Sequence, residues 1–259
     1  MRNFLHTFRE SGVKGDKAVF NWSGGKDSAL ALHKVMESGS ASIACLLTTV
    51  NKSFQRVSMH GVRTELLERQ AECIGIPLMK VLLPEMPDMA TYEAAMKESL
   101  VKLDSDGTRV CVFGDIFLED LRKYREDKLA ELGMKCLFPL WKIPTDELMR
   151  EFIDLGFKAV TVCVDEKHLD KSFVGRVIDE SFIRDLPVNV DPCGENGEFH
   201  TFVFDGPIFR WPVEFKMGEI VYRKYKRSDD GNKSGGNNST NPSDPFDTGF
   251  WYRDLLPNH

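Results

Sequence analysis

Several features that would define a class of protein are missing from this sequence. It has no apolar run of about 18–20 residues, so we predict no membrane-spanning helix. Residues 1–6 contain no apolar signal-peptide core. There are six cysteines, and the closest pair, Cys111 and Cys136, are 25 positions apart, which excludes a Cys-x-x-Cys motif. We therefore expect no disulfide framework or local zinc knuckle, but reduced cysteines and a cytoplasmic location.

A strong excess of one charge is also missing. The chain has 34 basic and 40 acidic residues and a net charge of −6, and the two signs are interspersed. This balance argues against a large nucleic-acid surface. The basic cluster at 223–227 is more typical of a solvated strand end than of an RNA site. We predict neither a nucleic-acid partner nor a membrane partner.

Hydrophobic residues make up 42% of the 259 residues, which is enough for a substantial core. Apolar runs alternate with helical patterns through residue 164, and runs such as 110–113 show no inside–outside alternation. Such runs are typical of strands covered on both faces, so we predict an α/β fold with a doubly wound, mostly parallel sheet. The predicted strands are 17–22, 42–49, 78–83, 109–114, 135–138 and 158–164. The predicted helices are 26–38, 62–74, 89–103, 119–132, 145–155 and 172–184.

The pattern changes near residue 187, where prolines and glycines interrupt the helices and the strands 199–204 and 213–222 are predicted. We predict a first domain over 1–140 and a smaller α+β domain over 141–227. Residues 228–249 are polar and of low complexity, which predicts a flexible segment. The aromatic tail 250–259 is expected to dock back onto the body.

Residues 23–28, Ser-Gly-Gly-Lys-Asp-Ser, lie between the first predicted strand and the first predicted helix. Backbone N–H groups at such a helix start lack partners and the helix dipole adds partial positive charge, which favours an anion such as phosphate. The two glycines permit a tight turn and a close approach of the ligand. Lys26 adds a cation and the serines add hydroxyl donors.

Two common nucleotide-binding patterns do not fit these residues. A Walker loop would require glycine at Phe20 and a hydroxyl residue at Asp27. The dinucleotide fingerprint requires spaced glycines, whereas these two are adjacent. A plain glycine turn with Asp27 or Ser23 as the helix N-cap is a simpler alternative, but it explains neither the double glycine nor Lys26.

The predicted fold places other polar segments near this loop, because ligands of doubly wound sheets bind beyond the carboxyl ends of the strands. We expect Thr48 and Thr49, after the second strand, and Gly114 and Asp115, after a later strand, to face the same crevice. His60, before the second helix, could also face it.

Residues 191–201, Asp-Pro-Cys-Gly-Glu-Asn-Gly-Glu-Phe-His-Thr, form the second informative segment. Glu198 and His200 are two positions apart on a predicted strand and so are expected to share a face. Such a group of side chains could position an amine or ammonia, hold Mg²⁺ or move a proton. A polar hairpin entry with a satisfied histidine is the alternative.

Four motifs in this order resemble the diphthine–ammonia ligase family of PP-loop ATP pyrophosphatases. They are the loop at 23–28, Gly-Asp-Ile at 114–116, Pro-Leu-Trp at 139–141 and Gly-Glu-x-Gly-Glu-Phe-His-Thr at 194–201. The similarity covers roughly residues 15–225. It implies an enzyme that uses ATP and Mg²⁺ to adenylate a carboxylate, releases pyrophosphate and forms an amide with ammonia. Family members amidate the last diphthamide precursor on elongation factor 2 in this way.

The resemblance also implies roles for individual residues. The residues expected to bind ATP are Ser23, Gly24, Gly25, Lys26, Asp27, Ser28, Thr48, Thr49, Gly114 and Asp115. The residues expected on the acceptor side are Gly194, Glu195, Gly197, Glu198, His200 and Thr201. The catalytic candidates are Lys26, Glu195, Glu198 and His200. Asp27 is expected either to cap the helix or to bind Mg²⁺.

Some features depart from the family pattern. Asn196 stands where the family usually has glycine. Arg122 lies in the helix that follows Gly-Asp-Ile, where the family tends to carry an arginine, but the preceding residues 118–121, Leu-Glu-Asp-Leu, differ from the usual pattern. Residue 2 is arginine rather than a glutaminase-type cysteine, so free ammonia is the simplest nitrogen donor. The carboxylate acceptor, a protein side chain or a small molecule, is not specified, and a homodimer is compatible with the sequence without being indicated by it.

Two other functions remain open. Sulfur transfer to tRNA would require a persulfide pair or an iron–sulfur triad, and the wide cysteine spacing argues against it unless Cys45, Cys111 and Cys163 cluster in space. A non-catalytic nucleotide sensor would bind ATP without cleaving it.

Overall fold

The computed structural model describes residues 15–57, 61–225 and 248–258. His60 and most of the predicted flexible segment, residues 228–247, lie outside the described residues. Within those ranges no helix combines the length and the apolar character needed to cross a membrane.

The first unit is a sheet of five parallel strands and one short antiparallel strand. The strands are β1 Lys17–Asn21, β2 Ser42–Asn51, β3 Arg56–Val57, β4 Leu78–Leu83, β5 Val110–Val112 and β6 Lys135–Leu137. The helices are α1 Lys26–Ser38, α2 Thr64–Ile74, α3 Met89–Ser105 and α4 Glu119–Ala130. The parallel strands lie in the order β4-β2-β1-β5-β6, and β3 pairs with the end of β2.

Helices cover both faces of this sheet, which explains the continuous apolar strands. Leu32 of α1 and Leu66 of α2 pack in one core, whereas Leu100 of α3 and Leu129 of α4 pack in another. Neighbouring residues of β1 alternate between the two cores, since Phe20 belongs to the first and Val19 to the second. The predicted α/β fold class is confirmed.

The direction of winding reverses at β1. β2 and β4 lie on one side of β1, and β5 and β6 lie on the other. The connections that follow β1 and β5 therefore go to opposite faces of the sheet and leave a crevice at the carboxyl ends of these strands.

The second unit is smaller and is built on an antiparallel sheet. Its elements are α5 Thr145–Asp154, β7 Lys158–Asp165, a 3₁₀ turn Lys171–Phe173, α6 Glu180–Asp185, β8 Phe199–Asp205, β9 Phe215–Tyr225 and β10 Thr248–Pro257. The strands lie in the order β8-β7-β10-β9, so the last strand of the chain lies between two earlier ones. Phe152 and Phe202 of this unit share the apolar core that contains α1 and α2.

Two predicted elements differ from the structure. The apolar run 158–164 appeared to continue the parallel series, but it is β7 of the antiparallel sheet, where it is also buried. The predicted helix 172–184 is divided into the 3₁₀ turn and α6. Gly175, with φ of +87°, donates its N–H to the carbonyl of Thr161, and the Asp179 carboxylate caps α6 through Phe182 N.

Candidate active site

The Ser-Gly-Gly-Lys-Asp-Ser loop connects the end of β1 to the start of α1. Gly25 is the N-cap residue of α1, and Gly24 has φ of +79°, a left-handed conformation that glycine adopts without steric cost. Gly25 N donates to the Ser23 hydroxyl at 3.2 Å, and the Ser28 hydroxyl donates to the Gly25 carbonyl at 2.9 Å. The loop is folded tightly over the amino end of α1, where the helix favours an anion.

Lys26 is a buried cation at this helix start. Only 3% of its side chain is exposed, and its Nζ lies 2.6 and 2.7 Å from the two carboxylate oxygens of Asp27. Burial by itself lowers the pKa of Lys26. The charge of Asp27, with help from Cys193 and Glu195, outweighs burial, so the pKa of Lys26 is raised above its ordinary value.

The segment after β5 lies directly against this loop. A methyl group at Gly114 would lie 3.1 Å from backbone atoms of both Asp27 and Ser28, which is closer than side chains normally approach backbone. A residue without a side chain is therefore needed for the two loops to meet.

Asp115 and Arg125 form an ion pair beside the two loops. Asp115 Oδ2 lies 2.7 Å from Arg125 Nε, and the Arg125 guanidinium lies 4.2 Å from the centre of the Phe113 ring. Burial raises the pKa of Asp115, and the charge of Arg125 opposes that rise.

Glu195, from the second unit, reaches the same region. Its carboxylate accepts a hydrogen bond from Ile116 N at 2.9 Å. Burial, followed by the negative charges of Asp27 and Asp115, raises the pKa of Glu195 to about 7. The Ile116 N–H and Lys26 oppose this rise. Glu195 is thus a carboxyl group that can gain or lose a proton near neutral pH.

Strand β8 holds the loop from the side of the second unit. The Thr201 hydroxyl accepts a hydrogen bond from Lys26 N at 3.0 Å, and Val203 N donates to the Gly24 carbonyl at 2.9 Å. A methyl group at Gly25 would lie 3.2 Å from the Thr201 carbonyl oxygen. The Ser-Gly-Gly-Lys-Asp-Ser loop is therefore packed against both units of the protein.

The loops from β1 and β5 and the segment 194–201 enclose a cavity of about 230 Å³. The predicted site residues that line it are Ser23, Gly25, Lys26, Asp27, Ser28, Gly114, Asp115, Gly194, Glu195, Gly197, His200 and Thr201. A second and mainly apolar cavity of about 320 Å³ lies between α3 and α4 and shares Asn21, Phe113 and Arg125 with the first.

Four predicted site residues, Gly24, Thr48, Thr49 and Glu198, do not line the polar cavity. Thr48 and Thr49 lie within β2, which extends two residues beyond the predicted strand, and they pair with Lys80 and Val81 of β4. Gly24 lies behind the cavity wall, against β8.

Glu198 is also absent from the cavity lining. It is only 1% exposed, and its carboxylate accepts hydrogen bonds from Asp191 N, Asn196 N and Asn196 Nδ2 at 3.1, 3.0 and 3.0 Å. Strand β8 begins after Glu198, so the predicted shared face with His200 does not form. These contacts stabilise the loop that carries Glu195.

The structure adds Arg125, Asn21 and Phe199 to the cavity lining. The sequence directed attention to Arg122, but this arginine lies over the rings of Phe138 and Trp141, 4.8 and 4.6 Å from their centres. Arg125 is three positions further along α4, a spacing that places both arginines on adjacent parts of one helix face. The spacing from Arg122 is therefore the feature of the sequence that could have identified Arg125 as a candidate site residue.

Comparisons with known proteins agree with this architecture. A family profile described as the diphthamide synthase N-terminal domain matches residues 16–136, and one described as the diphthamide synthase C-terminal domain matches residues 144–231. The diphthine–ammonia ligase of Schizosaccharomyces pombe is 25% identical over 230 residues, which cover 79% of this chain and 38% of that protein. The mouse and human diphthine–ammonia ligases are each 24% identical, over 77% of this chain and 82% of theirs.

The doubly wound sheet with a Ser-Gly-Gly-Lys-Asp-Ser loop at its switch point defines a PP-loop ATP pyrophosphatase. Within that class, the chain belongs to the diphthine–ammonia ligase family. The predicted family is confirmed, and the prediction of an enzyme of the ligase class is confirmed at the level of the family.

Proposed function

We propose that this protein activates a carboxylate with ATP and converts it into an amide with ammonia. A carboxylate oxygen attacks the α-phosphate, the bond to pyrophosphate breaks, and an acyl-adenylate forms. Ammonia then attacks the acyl carbon, AMP leaves, and the nitrogen loses a proton. The observation that carries this proposal is the convergence of the loops from β1 and β5 and the segment 194–201 around one polar cavity.

The chain's residues have distinct roles in this proposal. Lys26, the N–H groups of Asp27 and Ser28 in the first turn of α1 and the hydroxyls of Ser23 and Ser28 bind the phosphates, where the buried cation stabilises the negative charge that develops on pyrophosphate. Arg125 lines the same cavity and supplies a second positive charge. Gly114 allows the two nucleotide-side loops to meet.

On the acceptor side, Glu195 is the proposed proton acceptor for the attacking nitrogen, because it combines a position on the cavity wall with a pKa of about 7. His200 and Thr201 also line the cavity, and the Thr201 hydroxyl accepts a hydrogen bond from Lys26 N. For Glu198 we propose a positioning role in place of a catalytic one, since its carboxylate is occupied within its own loop.

The donor set of the cavity is compatible with Mg²⁺. Asp27, Asp115 and Glu195 all line the cavity, where the charge of Asp27 raises the pKa of Asp115 and of Glu195, and carboxylate oxygens are the ligands that Mg²⁺ prefers. Mg²⁺ sites commonly use one or two carboxylates together with substrate phosphates. We propose that Asp27 and Asp115 would hold the ion, which would neutralise phosphate charge.

We propose that the apolar cavity between α3 and α4 receives the adenine ring, because it adjoins the polar cavity through Asn21, Phe113 and Arg125. Replacing Ala94, which lines this cavity, with Trp should weaken ATP binding but leave tripolyphosphate binding unchanged. Calorimetry with both ligands would test this, and equal effects on both would contradict the adenine assignment.

The names of the relatives point to diphthine as the acceptor, and we propose a carboxylate of that kind. The cysteines disfavour sulfur transfer: all six lie within the described residues, all are free, and none lines the polar cavity. Burial raises the pKa of Cys45, Cys111 and Cys163, which opposes thiolate formation, and Cys163 lies in the second sheet, apart from the other two. Reduced cysteines also support the proposed cytoplasmic location.

The decisive experiment is incubation of the protein with Mg²⁺, ATP, an ammonium salt and a diphthine-bearing acceptor, with analysis of the nucleotide products. AMP, pyrophosphate and an amide are expected. ADP would indicate a different bond cleavage, and bound but uncleaved ATP would support the nucleotide-sensor alternative.

A further inference from the structure

We propose that Gln70 is a positioning residue that holds the anion-binding loop in the shape that ATP requires and joins this loop to the second unit. The inference deepens the proposed function and rests on it, since it concerns the same ATP site. Gln70 lies on α2, outside the polar cavity, and its side chain is fully buried.

The carboxamide of Gln70 connects three separate parts of the protein. Its Oε1 accepts a hydrogen bond from Trp22 Nε1 at 2.9 Å, and its Nε2 donates to the carbonyls of Gly24 at 3.0 Å and of Val203 at 2.6 Å. These are the residue before the loop, a residue within the loop, and a residue of β8. A primary amide has two N–H donors, and both are used here.

These contacts determine the orientation of the peptide bond between Gly24 and Gly25. The Gly24 carbonyl accepts from Gln70 Nε2 and from Val203 N, so it points towards α2 and β8. In a trans peptide the N–H points opposite to the carbonyl, and Gly25 N accordingly faces the Ser23 hydroxyl on the cavity side. If this peptide rotated, a carbonyl dipole would face the phosphate in place of an N–H.

Because Gly24 has no side chain, it does not itself prevent rotation of this peptide bond. Glycine occupies the left-handed and right-handed regions with similar ease, so the φ of +79° at Gly24 is not enforced by its own sterics. The two donors to its carbonyl, together with the hydrogen bond from Gly25 N to the Ser23 hydroxyl, select the conformation, and Gln70 supplies one of these donors while also accepting from Trp22. Substitution by glutamate would place an acceptor oxygen opposite two carbonyl oxygens, and leucine would leave both carbonyls with one donor fewer.

The test compares Gln70→Leu and Gln70→Glu with the wild type in two measurements. Calorimetric titration with ATP should show a dissociation constant raised about tenfold or more. In the absence of nucleotide, amide hydrogen exchange should become faster at residues 24–28. Gln55→Glu is the matched control, because Gln55 is exposed and its side chain donates to the carbonyl of Lys52 in its own turn.

A second control separates positioning from general stability. Met134→Ala removes a buried side chain from the core on the α3 and α4 side of the sheet. It should lower the melting temperature without changing ATP affinity or exchange at 24–28. Equal losses of affinity in Gln70→Leu and Met134→Ala would overturn the positioning role.

The outcomes distinguish this inference from the proposed function. If the wild type binds ATP and Gln70→Leu binds it equally well with unchanged exchange at 24–28, the role of Gln70 is refuted and the proposed function stands. If the wild type itself fails to bind ATP, the proposed function is refuted and the role of Gln70 with it.

Discussion

Lys26 shows how a charged side chain can be stable although it is almost completely buried from solvent. Burial of an isolated ammonium is costly, but contact with both oxygens of Asp27 keeps Lys26 charged. The pair also holds Asp27 at the cavity wall, where its charge raises the pKa of Glu195. Two adjacent residues thus supply both a buried cation and a negative charge that acts on Glu195.

Lys26→Ala is expected to lower the rate of AMP formation by about 10²–10³-fold, because it removes a cation aimed at charge that develops during bond cleavage. Circular dichroism should show an intact fold, and AMP release should be measured at saturating ATP. Lys123→Ala, which alters an exposed pair with Asp127, serves as the control and should retain full activity. Wild-type activity in Lys26→Ala would refute the assignment of the loop.

The Glu195 carboxyl predicts a specific dependence of stability on pH. Its pKa is about 7 in the folded protein and 4.5 ordinarily, so between these values the folded state binds the proton and the unfolded state does not. The stability that this group contributes is complete below about pH 4.5 and is lost as pH rises through about 7.

Glu195→Gln should remove this pH dependence, since glutamine does not titrate. The free energy of unfolding of the variant, relative to the wild type, should therefore be higher at pH 8 than at pH 5, as measured by urea denaturation. A difference for Glu195→Gln that does not change with pH would contradict the assignment.

Local sequence patterns predicted the helices and strands, but they did not predict which strands pair with one another. The predicted bounds of α1 and β4 match the structure, because each is a continuous apolar or amphipathic run that ends at glycine or proline. β7 has the same apolar character as a parallel strand but lies in an antiparallel sheet. Burial on both faces produces such a run in either case, so the run alone does not identify the sheet.

Local sequence patterns also did not predict the ion pairs between β10 and the first unit. Asp254 of β10 contacts Arg63 at 2.6 Å and Arg56 at 2.9 Å, across 191 and 198 positions of sequence. The pKa of Asp254 is lowered: burial opposes this, but the hydrogen bonds and charges of Arg63 and Arg56 outweigh it. The pairs connect the last strand of the chain to the elements that follow β2.

A double-mutant cycle with Arg63→Ala and Asp254→Ala should give a coupling free energy of about 1 kcal/mol, because the pair is partly shielded and Asp254 is held by two arginines. Unfolding in urea at neutral pH would measure it. The exposed pair Lys123–Asp127 in α4 is the matched control, and its coupling free energy should be smaller. Equal coupling free energies in the two cycles would show that the Arg63–Asp254 pair contributes no more to stability than an exposed pair does.

The two units share one apolar core. Side chains of α1 and α2 pack with those of α5, β7 and β8, and Leu255 of β10 belongs to the same cluster. We therefore expect the units to unfold together in one cooperative transition.

Leu255→Ala tests this expectation, since Leu255 is 2% exposed while its neighbour Leu256 is 37% exposed. Loss of the buried side chain should lower the free energy of unfolding by about 2–5 kcal/mol, and Leu256→Ala should change it by about 0.5 kcal/mol or less. Fluorescence and circular dichroism should report one common transition. Separate melting of the second unit in Leu255→Ala would show that the cores are independent.

The class of fold and the family could be predicted from the residues alone, and so could the place of the Ser-Gly-Gly-Lys-Asp-Ser loop between β1 and α1. Each depends on neighbours in the chain: an apolar run predicts a buried strand, and Ser-Gly-Gly-Lys-Asp-Ser between a strand and a helix predicts an anion site. The arrangement within the site depended on tertiary structure. The Glu198 carboxylate is bound within its own loop, Arg125 lines the cavity beside Asp115, and Gln70 connects α2 with the loop after β1 and with β8. Those contacts form between segments far apart in the chain, and only the packed core determines which of them meet.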